Sequence, residues 1–123
     1  MIGRLHHLAF DCPDPMVLAT FWSRLLGQPI TYADDDWVVV SADDRTSGLA
    51  FQRSPDQRPP TWPDSEVPQQ LHWDVMVEDP AAAGPRVLAL GATHLADDTY
   101  ADPAGHPFCL IRRPGWAPPV PAD

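Results

Sequence analysis

Positive charge, sulfur and glutamate are all scarce in this chain, and each shortage removes a class of function. Lys and Arg together number 8 against 17 Asp and Glu, a net charge of −9. Gripping a phosphate backbone needs the opposite balance, so nucleic acid is excluded as an expected partner. The acidity suits a cationic or neutral small molecule, and equally a surface that is merely soluble. Cys12 and Cys109 are too few and too far apart to build a disulfide framework, and a reducing compartment leaves both as thiols. No apolar run approaches the ~18 residues of a membrane span, and the first seven residues, Met1 to His7, contain no apolar signal-like core. The expected setting is therefore cytoplasmic, without a membrane partner. Glutamate occurs only at Glu66 and Glu78.

What is present is a repeat. His7 is followed seven positions later by Asp14-Pro15 and then by Leu26-Gly27; His72 is followed seven positions later by Asp79-Pro80 and then by Leu90-Gly91. At 123 residues the chain fits one domain. Halves of about 60 residues are marginal by themselves, which predicts that the two copies pack together within the chain or across a dimer. The spacing predicts module 1 over about 4–53, a Pro-rich linker over 54–69, module 2 over about 70–113, and a poorly ordered tail over 114–123.

Each copy begins with an alternating strand. In the first, Leu8 and Phe10 share one face and His7, Ala9 and Asp11 the other; in the second, Trp73, Val75 and Val77 oppose His72, Asp74 and Met76. The first helix is well signalled by Asp14 as N-cap, Pro15 at the first helical position and Gly27 as left-handed stop, with Leu18, Phe21, Trp22 and Leu25 as an apolar stripe. The second is weaker: Gly84-Pro85 predicts a kink, or a loose turn before a short helix from about Pro85 to Leu90. Further strands are expected near 29–33, 37–41, 48–53, 93–96, 98–101 and 108–111. Asp34-Asp35-Asp36 and Asp43-Asp44 read as turns between them, and Asp102-Pro103-Ala104-Gly105 as a type I turn. The aspartate runs lack the alternating ligands and closing Glu of a calcium loop.

Four strands pair an apolar face with a mixed one, and the mixed faces carry His7, Ala50 and Gln52, His72 and Asp74, and Cys109. Such faces line a cavity better than they fill a core. Trp37 on a strand and Trp62 in the linker offer aromatic faces to a ligand. His6, on the apolar side of its strand, His94 and His106 are read as structural.

The ordered set of His7 to Asp14-Pro15, Phe21-Trp22 to Leu26-Gly27, Phe51-Gln52-Arg53, His72 to Asp79, Leu90-Gly91-Ala92 and Asp102-Pro-Ala-Gly-His-Pro-Phe-Cys-Leu resembles the vicinal oxygen chelate superfamily, the glyoxalase/bleomycin-resistance fold. It looks most like the glyoxalase-like domains of uncharacterised function. The resemblance spans about residues 5 to 112 and implies an α+β fold: two tandem βαβββ modules, a curved mixed sheet around a cavity, and helices on the outer face. It also implies metal ligands at His7, Gln52, His72 and Cys109, taken from the first and last strands of each module. The family's usual glutamates are absent at the second and fourth of these positions, which removes the carboxylate that lactoylglutathione chemistry requires.

Two functions follow. In the first, a divalent metal (zinc, nickel, cobalt, manganese or iron) serves a lyase, isomerase or dioxygenase acting on a small oxygenated substrate, with Asp74 as base two residues from His72. In the second, a protein resembling the bleomycin-resistance branch sequesters a small molecule or antibiotic without metal or chemistry. Trp37, Gln52, Trp62, Asp74 and Cys109 line the pocket in either case. The resemblance implies a homodimer.

Overall fold

The polar and apolar alternation of residues 7–12 becomes β1 (His7–Cys12), whose Phe10 and Cys12 are buried. A computed structural model describes residues 1–122. In it the chain divides into two compact units, Met1–Gln57 and Arg58–Asp123.

In the first unit β1 leads into α1 (Pro15–Leu26). Asp14 caps it, accepting the Met16 and Val17 amides at 3.1 and 3.3 Å, and Gly27 ends it at φ +65°. Those caps satisfy backbone groups that a helix end otherwise leaves bare. Leu18, Ala19, Phe21 and Trp22 are the buried stripe, and Trp22 meets Phe21 edge-on at 5.4 Å and Phe10 at 5.9 Å. The helix covers β2 (Ile30–Ala33), β3 (Trp37–Val40) and β4 (Gly48–Arg53). The four strands form a mixed sheet in the order β1-β4-β3-β2, with β1 parallel to β4.

The second unit repeats the plan: β5 (Trp73–Val77), α2 (Pro80–Leu90), β6 (Thr93–Ala96), β7 (Thr99–Ala101) and β8 (Pro107–Arg112), ordered β5-β8-β7-β6 with β5 parallel to β8. Two tandem βαβββ modules of α+β class are therefore present, as two four-stranded mixed sheets, neither of them closed. The expected turn forms, with the Gly105 amide donating to the Asp102 carbonyl at 2.8 Å and buried Asp102 accepting from Ala104 and His106.

Two expectations are corrected. Of the two alternatives for α2, the loose turn before a helix from about Pro85 is overturned, since one helix runs from Pro80 to Leu90 with Pro85 inside it. Pro85 lies at the middle of the helix, where its missing N–H removes a single hydrogen bond, and Ala81 to Ala83 before it are strong helix formers. Gly84 has a packing reason: a Cβ there would lie 2.5 Å from the Tyr100 hydroxyl, so its absence leaves room for the end of that side chain against the helix. The second correction concerns the tail. Ala117 is buried, Arg113 Nη1 donates to the Ala117 carbonyl at 2.7 Å, and the Glu78 carboxylate accepts both Arg113 Nε at 2.8 Å and the Val120 amide at 2.7 Å. The tail is strapped down as far as Val120; Asp123 lies outside the described residues.

The strap has a pH dependence. Hydrogen bonding from Arg113, and then from the Val120 amide, holds the Glu78 carboxyl below its ordinary value of 4.5. A carboxylate whose folded pKa lies below its unfolded one contributes stability above the unfolded value and loses it as pH falls through the folded one. The strap is thus expected to release in acid below pH 4.5, and at neutral pH in a Glu78→Ala variant. The Val120 amide resonance reports this directly; a resonance unmoved down to about pH 2, below the range of ordinary carboxylates, would contradict it.

Candidate functional site

Parallel pairing puts residues of equal register on the same face, and this sorts the expected site residues. On β5 and β8, Asp74 pairs with Cys109, and Cys109 pairs in turn with Thr99 on β7. His72 precedes β5 by one residue and returns to the same face. The result is a trio in which a histidine nitrogen of His72, a carboxylate oxygen of Asp74 and Sγ of Cys109 all lie within 4.8 Å of one another. His72 Nε2 is 3.6 Å from Asp74 Oδ1, and the Thr99 hydroxyl is hydrogen-bonded to Cys109 Sγ at 3.3 Å. His72 and Asp74 are exposed and Cys109 is half-buried, so solvent and small ligands reach the donors.

The corresponding face of the first unit is chemically poorer. Ala9 pairs with Ala50 and Val39 pairs with Ala50, where the second unit has Asp74, Cys109 and Thr99. By register the counterpart of Cys109 is Ala50, and that of Gln52 is Ile111, the partner of Met76. Gln52 is exposed beside Asp11 and Trp37, four register positions from His7, about 13 Å at the rise of a strand. Within this unit His7 and Gln52 are not brought together. His7 instead accepts the Gly48 amide at Nδ1, 3.3 Å away.

His7 also opens a cleft of about 590 Å3, lined entirely by residues of the first unit. His6, expected on the apolar side, lines it too, its ring centre 3.8 Å from that of His7 with the planes tilted by 31°. Trp37 lies in the wall together with Tyr32, Thr31 and buried Ser41, while Gln52, Asp74 and Cys109, expected to share a pocket with it, do not line this cleft. Asp34, Asp43 and Asp44 stand around it with Arg45. The hydrogen bond from Tyr32, then the Asp36 amide, holds the Asp34 carboxyl below its usual range; Thr46, then the Arg45 amide, does the same for Asp43. The aspartate runs read as turns in the sequence are indeed turns, since Asp34 Oδ1 accepts the Asp36 and Trp37 amides and Asp43 Oδ1 the Arg45 amide. Trp62 is half-buried in the connecting segment of the second unit and is not a cleft residue.

The remaining histidines and cysteine have structural work. His94 Nε2 donates to the Asp97 carbonyl, 2.7 Å away, and its ring lies tilted against Tyr100, while His106 pairs with buried Asp102 at 2.9 Å. Cys12 is fully buried, its thiol 3.5 Å from the Gln52 carbonyl. Sequence reasoning missed Thr99 as the neighbour of Cys109 and the loop 42–46 as a cleft wall. Polarity at Thr99 was a usable signal, but its pairing with Cys109 was not.

A family model described as a glyoxalase-like domain matches residues 7–111. A glyoxalase-related enzyme from Fulvimarina pelagi has a similar structure, with a TM-score of 0.67 at 17% identity over 99% of this chain and 95% of that one. The bleomycin-binding protein of bleomycin-producing Streptomyces verticillus, solved with copper(II)-bleomycin, gives 0.57 at 20% identity over 93% and 100%. A glyoxalase/bleomycin resistance protein/dioxygenase family enzyme from Burkholderia phytofirmans gives 0.65 at 13% over 88% and 97%. At such identities the likeness is one of fold. No curated protein matches the sequence. Among the described residues no helix is long and apolar enough to cross a membrane.

Proposed function

This chain belongs to the glyoxalase-like domain family, and on that premise we propose that it is a metal-dependent lyase, isomerase or dioxygenase acting on a small oxygenated substrate, with the metal held in its second module by His72, Asp74 and Cys109. The observation that carries this reading is the mutual approach of three unlike donors within 4.8 Å. Nitrogen, carboxylate oxygen and thiolate sulfur together suit zinc or a neighbouring divalent ion better than magnesium or calcium. Donors around one tetrahedral zinc stand roughly 3.5 Å apart, as bonds of ~2.0–2.3 Å require. Rotamer changes of exposed His72 and Asp74 cover the difference. Bound there, the ion would supply Lewis acidity at a substrate oxygen.

The protein's own groups have definable parts. Thr99 fixes the direction of the Cys109 sulfur through its hydroxyl, as outer partners of metal ligands do. The Asp74 carboxylate, 3.6 Å from His72 Nε2, can hold or pass a proton at that nitrogen while no metal occupies it. The two functions of the family separate on one measurement. Protein purified without chelator and assayed by inductively coupled plasma mass spectrometry is expected to carry zinc, nickel, cobalt, manganese or iron near one per chain. Less than a tenth of that, after incubation with each metal in turn, would overturn the metal reading and leave ligand sequestration.

A further inference from the structure

On the second unit's sheet the donor trio has an apolar neighbour. Asp74 pairs with Cys109, and the next pair on the same face, two residues along both strands, is Met76 with Ile111. A rise of two strand residues puts that pair about 6.6 Å from the donors, and the spacing of paired strands sets its two side chains about 4.8 Å apart. Met76 is 38% exposed and Ile111 42%, so together they make a small apolar platform open to solvent. Alternation carries the same face on to Glu78 and Arg113, whose ion pair at 2.8 Å holds the tail through the Val120 amide and the Ala117 carbonyl. The platform is thus bounded, with metal-ligating donors at one end and the pinned tail, four residues or about 13 Å along the strand from Asp74, at the other.

The repeat shows that this row is not fixed by the fold. In the first unit the same register positions hold Asp11 and Gln52, both exposed and polar. An apolar pair in their place gains from whatever covers it, roughly in proportion to the area removed from water. What covers it is set by the donors one row away. A molecule whose oxygens are held at the trio, and which extends along the strands toward the tail, lies over Met76 and Ile111. A charged or strongly hydrated segment would lose water there with nothing to pair with, whereas an alkyl chain or phenyl ring gains burial.

We propose that Met76 and Ile111 set the specificity of the trio, which takes a substrate whose chelating oxygens are joined to a short apolar segment, an alkyl chain or a phenyl ring; this rests on the metal reading given above. The test uses two hydroxamates that chelate zinc through the same two oxygens and differ only in the tail, acetohydroxamate and hexanohydroxamate, titrated calorimetrically into the zinc-loaded full chain. Four extra methylenes are worth roughly 200-fold when fully buried. Contact from one side is expected to make hexanohydroxamate bind about tenfold tighter. The M76T/I111T variant keeps strand propensity while removing most of the apolar surface. It should bind both probes equally, with acetohydroxamate and zinc affinities as in wild type, and Met76→Leu should keep the tenfold gain. Equal binding of the two probes by wild type, a gain that persists in M76T/I111T, or the same gain in zinc-free protein would each overturn the proposal. So would a change of sedimenting mass in M76T/I111T, which would assign the platform to contact with a second copy of the chain. Zinc content is read on every sample. Less than a tenth of an ion per chain brings down the metal reading and this proposal with it, whereas zinc bound with no effect of tail length brings down this proposal alone.

Discussion

Substituting His72 by Ala is expected to abolish stoichiometric zinc uptake while leaving the fold intact. Three donors hold the ion in the proposed site, and removing one leaves two, so the loss should exceed the ~10–100-fold that removing an outer partner typically costs. Cys109→Ser replaces a soft, charged sulfur with a neutral hydroxyl of similar size and should act nearly as strongly. Because His72 is exposed and Cys109 half-buried, neither change opens a large cavity, and circular dichroism should be unaltered. Gln52→Ala is the matched control. Register aligns Gln52 with Ile111 rather than with Cys109, so its loss should leave zinc affinity unchanged. The measurement is competition against a chromogenic zinc chelator. Equal affinity in wild type and His72→Ala would remove the trio from consideration, and a loss in Gln52→Ala would restore the ligand set that strand position alone suggests.

The largest expected loss of stability comes from Trp22→Ala. Trp22 is 1% exposed and is gripped by Phe10 on the sheet and Phe21 on its own helix. Truncating a buried Trp costs about 3–5 kcal/mol through lost burial and the cavity left behind. Set against a typical total of ~5–15 kcal/mol, that is a large fraction. Calorimetry should show the midpoint falling by about 10 °C or more. Leu26→Ala, on the same helix but 38% exposed, should cost far less, and equal losses would show that α1 is not the wall of the first unit's core.

The comparison of Trp22 with Trp37 shows what could be read without a structure. Trp22 falls on a helical stripe with Leu18, Phe21 and Leu25, and periodicity alone assigns it to the core. Trp37 begins a strand, and strand periodicity leaves two faces open until the neighbours are known. Pairing with Gln52 at one level and walls from Tyr32 and the loop 42–46 decide that it faces the cleft. His6 failed for a related reason: alternation was extended one residue beyond β1, which begins at His7. Helix α2 and the tail departed from expectation because tertiary contacts outweighed local rules. A helix-breaking proline was tolerated next to a glycine that docks on Tyr100, and a Pro-rich tail was pinned by Glu78 and Arg113.

By itself the sequence determined the repeat, the α+β class, the first capped helix and the polar faces that carry His7, His72, Asp74 and Cys109. These rest on signals a few residues long: caps, turns, and periods of two and 3.6. Register was decided only by the tertiary structure, because hydrogen bonding between strands far apart in sequence has no local signature. That register set Cys109 beside Asp74 and Thr99, and set its counterpart in the first unit as Ala50. It brought His72, Asp74 and Cys109 together in one module and left the other a cleft of rings and carboxylates.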